Sequence, residues 1–451
     1  MSEPTNAGAD SQARARRSRQ SRRQTERYIT ASVRLWEHEV GAIAEDSRGQ
    51  ITVEYTEAFR GSGLEISPVH LGLSRLGPIQ FPELQRLPAF AGLPGVFADC
   101  LPDAFGNAVI TRYFQQRGDP AAALSPVQKL LYIGARAMGA LEFRPATNVV
   151  LNAETETALE VARLVEEARR VIEGDAGVAV PEMMQVGASA GGARAKALIL
   201  WDRQHNRVKS AFAPRAAADE HWLIKFDGVS GGAGGHGLHK AFAPGPYGRT
   251  EYAYSRMATA AGITMAETHL LYDRDFAHFM TKRFDREGDL RIHQHSVGGM
   301  LHIDYNIPQA LSYEEYFRTI RRLGMQQGAI EQAFRRLVFN VIARNQDDHV
   351  KNFGFLMDRN GQWRLAPAFD MTWAYGSAWT ARHQMTVNGK SDDFALADLT
   401  AVGHAFDLPK GGAEIIEQVE QAVHTWELEA RAVGLESAWI AELQGKFRAL
   451  V

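Results

Sequence analysis

Cysteine is almost missing from this chain of 451 residues, with Cys100 the single one. No disulfide can form within the chain, which excludes the stapled scaffolds of small secreted domains. Long apolar runs are missing too: none reaches the ~20 residues of a membrane helix. Residues 1–27 lack the apolar stretch of a secretory signal. The expectation is therefore a cytoplasmic protein without membrane contact. Nor is there a large charge of one sign, the formal net charge being −3, which by itself points to no partner. What remains is ordinary: 45% hydrophobic and 23% charged residues, as in a soluble globular protein. The length suits about three structural units, and no internal repeat is visible.

The charge is unevenly placed. Residues 1–27 carry seven arginines against three acidic residues, a balance of +4, and the rest carries −7. The first segment has almost no large apolar side chains, so it reads as a disordered basic tail. It could touch nucleic acid weakly or be no more than a solvated end.

Residues 28–150 carry strand and turn signals: a hairpin opening over 32–37 and 41–44, then alternation over 51–55. A helical spacing over 158–171 predicts a linker helix. Strands, a small-residue turn and helices follow from about residue 181, and the last ~65 residues look mainly helical. The predicted fold class is α+β, in four segments: a tail over 1–27, a β-rich subdomain over 28–150, a linker helix with a mixed lobe over 151–285, and a mainly helical lobe over 286–451.

The most informative segment is residues 345–352, Asn-Gln-Asp-Asp-His-Val-Lys-Asn. Before it, Phe334, Leu337, Val338, Val341 and Ile342 fall on one face of a helix. After it come two predicted strands around Asn360-Gly361, a hairpin signal. Asp370 stands at the exit of the second. Protein kinases place a catalytic-loop Asp five residues before a metal-binding Asn, and a second metal-binding Asp follows. Asp347, Asn352 and Asp370 reproduce that order. One carboxylate accepts a proton from the incoming hydroxyl, while an amide and a second carboxylate hold Mg²⁺ against nucleotide phosphates. Lys351 is placed to meet the transferring phosphate. A metal-dependent hydrolase using Asp347, Asp348 and His349 is the competing chemistry, but a second ligand cluster is missing.

The other half of such a site belongs upstream. Residues 187–196 form a small-residue loop before a strand, where backbone N–H groups could approach phosphates closely. Lys225 ends the strand over 221–226, the place of a kinase's nucleotide-binding lysine. Glu251, early in a helix predicted over 250–261, could pair with it. A strand over 278–284 leads into the larger lobe as a hinge would. The glycine run 230–237, with His236 and His239 near it, reads as a mobile loop.

With residues 189–196, 222–226, 282–286, 347–352 and 366–370 together, the chain resembles the HipA-type serine/threonine kinases of bacterial toxin–antitoxin systems. The specific motifs are Asp-x-His-x-Lys-Asn and Pro-x-Phe-Asp, and the resemblance extends over about residues 30–445. Leu101-Pro102-Asp103 is similar to a segment of the family's β-rich N-terminal domain. The resemblance implies ATP and Mg²⁺ as cofactors. It implies Asp347 as catalytic base and Asn352 and Asp370 as metal ligands. Gly191, Gly192, Ala193, Arg194, Ala195, Lys196 and Lys225 would contact phosphates. Lys282, Arg283 and Phe284 would form the adenine hinge, with Asp285 near the ribose. His349, Val350, Lys351 and Asn352 would close over the phosphates beside Phe369, and Ser189 would be the autophosphorylated loop serine. It also implies a helix-turn-helix antitoxin partner (HipB-like), with DNA reached through it, and a protein substrate such as an aminoacyl-tRNA synthetase. Two other classes stay open: a co-repressor in an antitoxin–DNA complex, supported by the basic tail, and a small-molecule phosphotransferase. The basic tail and residues 295–307 depart from the family pattern.

Overall fold

The computed structural model describes residues 28–102, 106, 107, 110, 124–145, 164, 168, 195–211, 213–229 and 245–450. The basic tail, most of the linker helix, the glycine run with His236 and His239, and loop residues 187–194 lie outside them.

The first unit is an antiparallel sheet in the order β4-β3-β2-β1-β5, built from β1 (Ile29–Leu35), β2 (His38–Glu45), β3 (Ile51–Tyr55), β4 (Ile79–Gln80) and β5 (Leu141–Pro145). Alternation explains it: Ala31, Val33 and Leu35 turn inward on β1 while their neighbours stay half-buried. Short helices α1 (Glu57–Arg60), α2 (Gly95–Ala98) and α3 (Pro126–Ile133) cover it. The last is opened by a Ser125/Gln128 capping box with proline at its first position.

The second sheet has the order β7-β6-β8-β10-β9, from β6 (Lys196–Asp202), β7 (Arg207–Ser210), β8 (Asp219–Lys225), β9 (Thr268–Asp273) and β10 (Phe276–Lys282). Helix α4 (Tyr247–Ala260) sits between its third and fourth strands in the chain. Gly248 lets that helix lie against β10, because a Cβ there would come within 2.3 Å of the Ala277 carbonyl oxygen. Leu164 and Ala168 pack into this lobe's apolar core with Trp201, Trp222 and Ile224.

Beyond β10 come the small ribbon β11 (Arg286–Glu287) and β12 (Leu290–Arg291), then β13 (His293–Ser296), which pairs with β14 (Gly354–Met357) and through it with β15 (Trp363–Leu365). The remaining mass is helical: α5 (Val297–Leu301), α6 (Tyr313–Arg322), α7 (Gln327–Ile342), α8 (Leu396–Ala405), α9 (Ala413–Val423), α10 (Trp426–Ala432) and α11 (Ser437–Gln444). The stripe Phe334, Leu337, Val338, Val341 of α7 is fully buried in the largest core cluster. Among the described residues no helix is long and apolar enough to cross a membrane.

The two halves are docked tightly. A Cβ on Gly95 would fall 1.9 Å from the Gly299 carbonyl oxygen, so only glycine permits α2 to meet α5. Met357 on β14 belongs to the core cluster of the first unit, against which Trp363 also packs.

Candidate active site

The loop between α7 and β14 carries the polar cluster, and buried bonds hold it. At the C-terminal end of α7, Asn340 accepts from the Asn345 side chain (2.9 Å). Arg344 turns the chain with a left-handed φ of 56°. The Gln346 N–H donates to the Ala374 carbonyl, and the Ala374 N–H to that of Arg344. Asp348 is the main anchor. Its buried carboxylate accepts from Tyr313 Oη (2.8 Å), His383 Nδ1 (2.8 Å) and the Gln384 N–H (2.7 Å).

Asp347, by contrast, is half-buried. Its Oδ1 accepts one N–H, from Trp379 Nε1 (2.8 Å), and Asn352 Nδ2 donates to its backbone carbonyl (2.9 Å). Burial pushes the Asp347 carboxyl above its usual range, against the pull of His349 and the Trp379 N–H. Two adjacent aspartates thus separate by environment: one is consumed by structure, the other has an oxygen to offer. This weakens the hydrolase reading that counted Asp348 among its ligands.

Opposite this loop, Lys225 at the end of β8 reaches across to two carboxylates. Its Nζ lies 2.6 Å from Glu251 Oε1 on α4 and also contacts Asp370 Oδ1. The three side chains come from a strand, a helix and a loop, each set by its own backbone bonds. The Asp370 loop is fixed because the Ala368 N–H and C=O bond to Thr264 and Ala266. Asp370 itself takes a left-handed φ of 56°, which Asp tolerates better than most residues. Burial would raise its carboxyl, but Lys225 and Lys196 overcome that and hold it at about 2.

A cleft lies between these elements, with about 950 Å³ of open space when the solvent at its mouth is counted. Lys196, Lys225, Lys351, Asn352 and Asp370 line it, with Lys282, Arg283, Phe284 and Phe369 also on its walls. Phe284 and Phe369 face one another with ring centres 5.4 Å apart. Lys351 extends over the Tyr305 ring (5.0 Å), and His349 packs on the same ring. Val350 is buried, its carbonyl taken by the Gly298 N–H, and Ala195 is buried with its carbonyl on the Phe226 N–H. Gly191, Gly192, Ala193, Arg194 and Ser189 lie outside the described residues.

Two expectations are corrected. Asp285 does not stand ready for a ribose: it is fully buried. Its oxygens accept from Arg283 Nε (2.9 Å), Arg283 Nη2 (2.7 Å), Arg286 Nη1 (2.7 Å) and the Gly139 N–H (2.7 Å). A carboxylate so saturated has nothing to offer a ligand. Nor are the N–H groups of Lys282 and Arg283 open to a ligand, because they are spent on the Glu267 and His221 carbonyls. The Lys282 side chain turns outward to Glu220 (2.5 Å) and Glu267 (3.3 Å).

The first unit supplies part of the cleft wall with Asp99, Leu101 and Met138. Asp99 bonds the Ser296 N–H and hydroxyl and His295 Nδ1, each at 2.7 Å. Residues 295–307, which looked like a variation in the chain, are where the first unit docks. Asp99 and Met138, with Trp379 and Gln384, were not legible in the sequence, since nothing in their spacing sets them apart; Leu101 was, within Leu101-Pro102-Asp103.

The HipA N-terminal domain family matches residues 31–144, and the HipA-like C-terminal domain family matches residues 188–426, more than half of the chain. This protein belongs to the HipA family. Its fold is that of a Shewanella oneidensis HipA solved in complex with HipB and operator DNA: TM-score 0.64, 16% identity, 92% of this chain and 95% of that one covered. A Haemophilus influenzae protein named "Putative kinase" is 27% identical over 139 residues, 27% of this chain. That match spans only about two-fifths (39%) of the relative's length. In this chain Lys225, its partner Asp370, and Lys351 and Asn352 of the loop after α7 line one cleft.

Proposed function

We propose that this HipA-family chain is an ATP- and Mg²⁺-dependent serine/threonine protein kinase, acting as the toxin of a toxin–antitoxin pair. The observation that carries the reading is Lys225 bridging Glu251 and Asp370 in a cleft that Asn352 also lines, with Asp347 tied to Asn352 through its backbone carbonyl; kinases use such a lysine–glutamate–aspartate arrangement for phosphate binding. The donor set suits a hard cation. Asp370 offers carboxylate oxygen, and Asn352, whose amide nitrogen is engaged, keeps its oxygen for a ligand. Bound there, Mg²⁺ would neutralise charge on the nucleotide phosphates.

The chain's own groups perform the rest. Lys225 and Lys196 bring positive charge to the phosphates, and Lys351 approaches from the catalytic loop. Asp347 takes the proton from the acceptor hydroxyl as its oxygen bonds to the γ-phosphorus. The bond from that phosphorus to the β,γ-bridging oxygen breaks, and ADP leaves with the electron pair. The raised Asp347 carboxyl moves toward the basicity that proton transfer favours.

The acceptors belong to the same proposal: Ser189 in cis or trans, and a translation protein such as an aminoacyl-tRNA synthetase. A phosphate on Ser189 would add roughly −1.5 to −2 charges to its loop. A HipB-like antitoxin is the proposed partner, supported by the complex in which the Shewanella HipA was solved. DNA is reached through that partner or weakly through the basic tail. The cytoplasm is the proposed compartment. Radiolabelled ATP incubated with the chain and a cell lysate tests the reading: labelled protein bands are expected, and label only in small products would instead mark a small-molecule phosphotransferase. Asp347→Ala is expected to abolish transfer while retaining ATP binding. In parallel, mass spectrometry should place a phosphate on Ser189 in the wild type and lose it in Ser189→Ala.

A further inference from the structure

We propose that Trp379 is a positioning residue for the acceptor end of this site, holding Oδ1 of Asp347 so that the other oxygen meets the incoming hydroxyl. The inference rests on the reading of Asp347 as proton acceptor and extends it to a residue nine positions beyond Asp370.

A carboxylate can rotate, and either oxygen can serve as base. Here Trp379 Nε1 donates to Oδ1 at 2.8 Å. An indole N–H is donor only, so it can pin the group without competing for the proton. Asn352 Nδ2 fixes the other end of the residue through its backbone carbonyl. The pin is itself held. Trp379 opens the short turn Trp379–Ala381, and the Gln384 side-chain amide donates to the carbonyls of Trp379 (2.6 Å), Arg382 (2.9 Å) and Gln346 (3.3 Å). The Gln384 N–H and the His383 ring bind Asp348, next to Asp347 in the chain. One clamp therefore fastens the turn and the catalytic loop to each other, so the indole and the carboxylate keep their relative place. Sites that must hold reacting groups within a fraction of an ångström need such support. A tryptophan serving only as filler could be rotated or replaced by phenylalanine at no cost to chemistry.

The test removes one donor. Trp379 is replaced by 3-benzothienylalanine, which substitutes sulfur for the indole N–H, and, separately, by Trp379→Phe and Trp379→His. Each full-length variant is compared with wild type and Asp347→Asn. The measurements are melting temperature, affinity for a fluorescent ATP analogue, and kcat and KM for transfer from ATP to a serine/threonine peptide mixture. The expected result for the benzothienyl and Phe variants is a kcat lower by roughly ten-fold or more, part of the 10²–10⁴ that a positioned base contributes. KM for ATP and the melting temperature should stay at wild-type values, and Trp379→His, which keeps a ring N–H, should recover part of the rate. A benzothienyl variant with wild-type or higher kcat overturns the proposal, as does a fall in nucleotide affinity equal to the fall in kcat. If Asp347→Asn turns over like wild type, or wild type transfers nothing, the reading of Asp347 fails and this inference with it.

Discussion

Lys225 shows how much one side chain can be asked to hold. Its ammonium is nearly buried and neutralises two carboxylates from different elements, one of them, Glu251, almost without solvent contact. Removing it leaves an unpaired buried charge, which costs about 3–5 kcal/mol. Lys225→Met is therefore expected to lower both ATP affinity and the midpoint of denaturant unfolding, whereas Asp347→Ala lowers only turnover. Chemical denaturation of the two variants side by side separates a lysine that both binds and stabilises from an aspartate whose work is chemistry. The residue types were legible beforehand, since Lys225, Glu251, Asp347, Asn352 and Asp370 all stood out by spacing. The contrast between Asp347 and Asp348 was not, because the donors that consume Asp348 come from α6 and the 383–384 segment, 35 and 36 residues away.

At the scale of elements, the loop after α7 caps its C-terminal end, where the Asn345 N–H and side chain both bond to Asn340. The helix was readable from its apolar stripe, and β14 and β15 from their hairpin turn, because both patterns are local periodicities. The loop's shape depends on Asp348, which accepts three donors in a buried site. Asp348→Ala is expected to strand those donors and to cost about 3 kcal/mol or more, with turnover falling as the loop loses its form. Thermal unfolding and the transfer assay on one preparation would check this. Intact stability in that variant would mean the loop is held by its backbone bonds alone. The end of β10 was not legible for a related reason: the strand pattern in the chain extends to residue 284, while the strand ends at Lys282 and the N–H groups of residues 282 and 283 bond to carbonyls of distant segments.

For the whole molecule, the junction between the first unit and the HipA-like C-terminal domain is the defining feature. Asp285 is its centre, joining Arg283 and Arg286 to the Gly139 N–H of the first unit. Burial alone would raise its carboxyl, but the arginines prevail and hold it below the usual range. A carboxyl depressed on folding adds stability above its unfolded pKa of about 3.9, and that stability is lost as pH falls through the folded value. The melting temperature is accordingly expected to drop steeply below about pH 4. Asp285→Asn should be less stable at neutral pH and show a shallower acid limb. Differential scanning calorimetry from pH 3 to 7 would show both, and parallel acid limbs in the two proteins would remove Asp285 from this role. The same junction brings Asp99, Leu101 and Met138 to the cleft, so the β-rich unit is part of the site's wall.

The sequence by itself determined the α+β class, the helices and hairpin around the catalytic loop, and the identity of the charged residues, because each rests on short-range pattern or on chemistry that tolerates few residue types. The tertiary structure alone decided which of two adjacent aspartates is consumed by buried donors and that Asp285 is a structural clamp. It also decided that an indole N–H from beyond the site reaches Asp347. Those outcomes depend on which donors and acceptors arrive from distant segments, and a one-dimensional pattern carries no record of who meets whom in a folded core.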